Sequence, residues 1–129
     1  MKRALAFLIA MSMARAGPAF AAGHPELKAY FQSNLTDAAY QKKTFDRVAN
    51  AWKTPAASQI PEAGKKTVVQ AVIGNDGKLV SAAVSMISGK KGWDDAALAA
   101  VKRAAPFDPL PSSYRYPTVE VHFHVAVVS

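Results

Sequence analysis

The chain has 129 residues, half of them hydrophobic and 19% charged, with a formal net charge of +7 and no cysteine. Disulfides, thiolate metal sites and a cysteine nucleophile are therefore excluded, and stability must come from one packed core. Three of the 16 basic residues (Lys2, Arg3 and Arg15) lie in the first 21 positions, which hold no acid; the rest carry 13 basic against 9 acidic groups, about +4. The pairs Lys42-Lys43, Lys65-Lys66 and Lys90-Lys91 are spread along the chain as solvated surface and form no nucleic-acid-binding stripe.

Met1-Lys2-Arg3 is a positive start, and Ala4 to Ala14 is an apolar run of 11 residues broken only by Ser12. Arg15, Gly17 and Pro18 end it, and Ala19-Phe20-Ala21 has the small-large-small pattern that a signal peptidase accepts. The run is about half of the 20 or so apolar residues a spanning helix needs. Residues 1–21 are thus expected to be a cleavable signal peptide, residues 22–36 an N-terminal segment, and residues 37–129 the domain proper. The mature chain has no segment of its own that could span a bilayer, and its expected location is the periplasm.

In the N-terminal segment Leu27, Tyr30, Phe31 and Leu35 fall at helical spacing and predict a short helix. Thr36-Asp37 reads as a helix start, and Tyr40, Phe45, Val48, Ala49 and Trp52 give one apolar face as far as Pro55. Residues 54–64 are a connector with two prolines. Thr67 to Ile73 is rich in β-branched residues, Gly74-Asn75-Asp76-Gly77 is a turn, and Leu79 to Ile87 is the returning strand of a hairpin. Ser88 to Gly92 is a loop. A second helix follows, with Asp94 and Asp95 in its first turn, Ala97, Leu98, Val101, Ala104 and Ala105 on its buried face, and Lys102 and Arg103 near its end. Four prolines stiffen residues 106–117. The last segment alternates Val119, Val121, Phe123, Val125 and Val127 with Thr118, Glu120, His122, His124 and Ala126, a strand with one face on a core.

The order helix-hairpin-helix-strand predicts an α+β fold. It is a three-stranded antiparallel sheet with two packed helices, the hairpin's first strand in the middle and the final strand on an open edge. Trp52, Trp93, Phe107 and Phe123 are expected in the core.

The run from Val69 through Asp76-Gly77 to Val80, then Ser88-Gly89, Trp93 to Val101, Ala105-Pro106-Phe107-Asp108-Pro109-Leu110-Pro111 and Val119 to Phe123 resembles the C-terminal domain family of TonB and TolA, as does Trp52 with Pro55. The resemblance covers about residues 37–128 and rests on the order of the pieces. It implies a periplasmic domain without catalytic residues that binds a cell-envelope protein, an outer-membrane receptor or a component of a periplasmic complex, by pairing backbone at a sheet edge. The family's energy transducers carry an uncleaved membrane helix and a long linker. Here the apolar run is too short to span and no such linker lies between residues 22 and 67, so the expectation is a binding head alone. A structural subunit of an envelope or secretion assembly is the alternative.

An open edge offers unpaired N–H and C=O groups to an incoming peptide. The expected partner-binding residues are Thr118, Glu120, Val121, His122, Phe123 and His124, the polar side chains outward and the backbone of 119–125 pairing. His122 and His124 share a face with Glu120, an arrangement that could hold a metal or respond to pH, but no metal or cofactor is expected. Enzyme readings lack parts. His24 adjoins the expected cleavage site, Ser81, Ser85 and Ser88 have no evident base, and Asp94 and Asp95 point about 100° apart. Neither glycine-bounded turn has phosphate-loop spacing.

Overall fold

The computed structural model describes the backbone of residues 5–12 and all of residues 23–129. The elements are β1 (Leu5–Ser12), β2 (His24–Gln32), α1 (Ala38–Ala51), β3 (Lys66–Gly74), β4 (Leu79–Met86), α2 (Lys91–Ala104) and β5 (Thr118–Val128), with a 3-10 turn at Ala57–Gln59. All five strands form one antiparallel sheet in the order β1-β2-β5-β3-β4. The apolar run read as a leader supplies β1, while the expected cleavage site after Ala21 lies outside the described residues.

The α+β class, both helices and the hairpin agree with the sequence. So does the arrangement β4-β3-β5, with the hairpin's first strand in the middle. The strand count and the edge are corrected. The segment expected to be a short helix is strand β2, paired with β5 from His24↔Val128 to Phe31↔Val121, so the final strand is interior and not an edge. The cause is a period of two. Pro25, Leu27, Ala29 and Phe31 are buried while His24, Glu26, Lys28, Tyr30 and Gln32 are half-buried on the opposite face. Counting Tyr30 as apolar and passing over Ala29 makes the same run resemble a helix.

Both helices cover one face of the sheet. The core beneath them combines Leu27, Ala29 and Phe31 of β2, Val69, Ala71 and Ile73 of β3, and Val119 to Val127 of β5 with Phe45 and Val48 of α1 and Trp93, Ala97 and Val101 of α2. Asp37 caps α1, its carboxylate accepting from the Tyr40 N–H at 2.9 Å. Trp93, Phe107 and Phe123 are buried as expected. Trp52, half-buried, meets Trp93 edge to face at 4.9 Å, and Trp93 Nε1 donates to the Val125 carbonyl.

Asp94 does more than suit a helix dipole. Its buried carboxylate accepts from the Thr67 hydroxyl at 2.5 Å and the Ser88 N–H at 2.9 Å, joining α2, β3 and the loop after β4. The hairpin turn is anchored in a similar way. Phe107 N donates to Gly77 O and Leu110 N to Asn75 O. Gly77 has φ +90°, and a Cβ there would lie 2.1 Å from the Phe107 carbonyl oxygen.

Two outcomes follow for denaturant unfolding. Phe31→Ala should cost about 3–5 kcal/mol, as expected of a core aromatic and not of a tail. Gly77→Ala should cost about 2–4 kcal/mol, because it combines a disfavoured φ with a backbone clash. A loss under about 1 kcal/mol at either position would contradict the packing described here.

Candidate interaction surface

The alternation that gives β5 its core face also sets its other face. Thr118, Glu120, His122 and His124 emerge opposite the helices, on the side neither helix covers. The register places Tyr30 and Gln70 beside His122, and Lys28 and Val68 beside His124. The open face is therefore built from three strands and is more than a row on one strand.

A polar network crosses it. Gln70 Nε2 donates to Glu120 Oε2 at 2.9 Å, and His122 Nε2 lies 2.6 Å from the same oxygen, so an ionised Glu120 accepts from the Nε2–H tautomer. The Gln32 side-chain oxygen accepts from the Glu120 N–H at 2.6 Å, occupying β5's backbone beyond the last β2 rung. The His122 and Glu120 side chains are only 22% and 14% exposed. Tyr30 rests against the His124 ring at 4.5 Å and 49°. Among the described residues no group of three or more His, Asp or Glu is placed to hold a metal ion.

His124 is half-buried. Burial, and next Lys66, His122 and Lys28, push its pKa down to about 4, so the ring is neutral at physiological pH.

Of the six residues singled out in the sequence, Thr118, Glu120, His122 and His124 do share one face. Val121 and Phe123 are fully buried under the helices, and the backbone from 121 to 124 is paired with β2 on one side and β3 on the other. Strand addition directly to β5 is thereby corrected: β2 already holds that place. Tyr30, Lys28, Gln32 and Gln70 belong to the face and were missed, for want of the period-two signal in residues 24–32.

Among the described residues β4 has a free outer edge. No charged residue occurs from Leu79 to Ser88, and Val80, Met86 and Ile87 are 61%, 49% and 72% exposed. Its ladder with β3 shifts register twice, between Val68 and Val69 and between Val72 and Ile73.

The depressed His124 pKa has a definite sign. The unfolded ring takes a proton near pH 6.5 and the folded ring near 4, so stability is full above 6.5 and falls as pH drops from there to about 4. His124→Gln should flatten urea midpoints measured across that interval. An unchanged slope in the variant would remove His124 as the cause.

The family model described as TonB C terminal matches residues 37–124. No curated protein and no solved structure matches the chain. The matched stretch holds α1, the hairpin, α2 and most of β5, and leaves β1 and β2 outside it. Domains of that family are non-enzymatic interaction modules that bind envelope proteins, typically in the periplasm of Gram-negative cells. With two thirds of its length matched and every element of the match folded in the expected order, this chain belongs to the TonB C-terminal family.

Proposed function

We propose that the protein is an exported, non-enzymatic binding domain of the periplasm that recognises a cell-envelope protein by adding a partner strand to its sheet. The observation that carries this reading is the one-sided build of the molecule. Both helices lie on one face, leaving the other face and the sheet's ends for contact. Residues 1–21 are removed on export in this reading, and no helix among the described residues is long and apolar enough to cross a membrane. The modest positive charge suits an acidic partner surface.

Thr118, Glu120, His122 and His124, joined by Tyr30 and Lys28, form the side-chain platform over which the partner passes. Backbone pairing supplies affinity, and the platform supplies selectivity through the alternate side chains that face it. The partner's own apolar residues meet the edge, where an unpaired strand would otherwise invite aggregation.

In living cells, a photo-reactive residue at Tyr30 or His122 should yield a discrete adduct with an envelope protein, and the same probe at Lys102 on the exposed side of α2 should not. Adducts at Lys102 alone, or at none of the three positions, would overturn the reading.

A further inference from the structure

We propose that the outer edge of β2 is the strand-docking site of the mature protein. Its ligand is an extended, uncharged, apolar segment of an envelope protein running antiparallel to β2, in the place β1 occupies in the full-length chain. The proposal rests on the reading above that residues 1–21 are removed, and it names the edge and the occupant that reading leaves open.

The two ends of the sheet are not equivalent. β2 pairs with β5 from His24 to Phe31 without a register shift, and its outer ladder with β1 runs evenly from Phe7↔Phe31 to Ser12↔Glu26, its one shift lying at the far end between Leu5 and Phe7. β4 carries two shifts, and bulges of that kind twist an edge away from pairing. The regular edge is the better template for an added strand.

The occupant is written in the chain itself. Leu5-Ala6-Phe7-Leu8-Ile9-Ala10-Met11-Ser12 holds no charge, and its backbone pairs antiparallel with β2 from Phe7↔Phe31 to Ser12↔Glu26. Helix α1 packs over β2 and reaches β1, so a strand in this place has a neighbour on its edge and a roof on its face. A site closed on two sides favours an apolar guest.

Removing β1 would leave the edge standing. Leu27, Ala29 and Phe31 are fully buried in the core, and β5 holds β2 along its other side. What is lost is the partner of the backbone groups along Glu26–Gln32, which a new strand would satisfy. The precursor thus carries its own cap, and binding competence would begin when the leader is cut. Because β2 lies outside the matched residues 37–124, this edge is a feature of the chain's own N-terminal segment.

The test uses the full-length chain with Ile9→Pro, which breaks the β1 ladder, alongside the unmodified chain and a chain beginning at residue 22. The probe is a fluorescent peptide of residues 4–13 with a lysine added at each end. The variant and the shortened chain should bind it saturably, with new hydrogen-exchange protection in residues 24–32. The unmodified chain, whose tethered β1 competes at high effective concentration, should bind it about tenfold or more weakly. An Ile9→Pro peptide should not bind. Protection confined to 79–86, or equal binding by all three chains, would overturn the proposal. The in-cell adducts decide the broader reading separately. Adducts without peptide protection at β2 would leave an interaction domain with a different edge, and protection without adducts would leave the edge without its envelope partner.

Discussion

Everything in this fold leans on β5. It is the central strand of the five, with a ladder to β2 on one side and to β3 on the other, and its five inward side chains, Val119 to Val127, are buried in the core that both helices share. Trp93 ties α2 to it through the Val125 carbonyl, and Gln32 extends β2's grip to Glu120. Burying side chains of this size contributes about 1.5–3 kcal/mol each. A polar residue at any inward position would therefore unsettle both layers together.

What the sequence made legible follows from how strongly each local pattern is written. β5 alternates without exception, α1 has a capping Asp37 and a clear face, and the Gly74-Asn75-Asp76-Gly77 turn has the residues its geometry requires. These elements could be read singly. β2 could not, because Ala29 is small, Tyr30 is amphipathic, and the partner that makes the strand lies about a hundred residues away. Strand pairing is non-local, and a single chain segment carries little trace of it. The consequence spreads: with residues 24–32 taken for a helix, β5 becomes an edge, and the backbone of Val121 and Phe123 is offered to a partner although β2 already pairs with it. The shared face of Thr118, Glu120, His122 and His124 is legible because parity on a strand does not depend on who its neighbours are.

The polar network on the open face shows a second limit. Glu120, His122 and Gln70 looked like separate surface residues, and only the register of three strands brings them to hydrogen-bonding distance. Their low exposure gives the face a preset shape, so a partner would meet an ordered surface with little entropy left to lose. The pressure of Lys66 and Lys28 on His124 comes from the same crowding. The family match ends near this network and leaves out the strand that completes it, so the recognition features of this chain are shared in part and its own in part.

The position of β5 in the chain has a consequence for how the protein is made. The strand at the centre of the sheet is made after every other described element, and its rungs with β2 join residues 24–31 to residues 121–128. The helices lack the middle strip of their floor, and β2 has no inner neighbour, until residue 128 has emerged. Such long-range closure is slow and comes late in folding. A nascent chain that lacks this strand cannot close its sheet, so the domain forms only once residues 118–128 are in place.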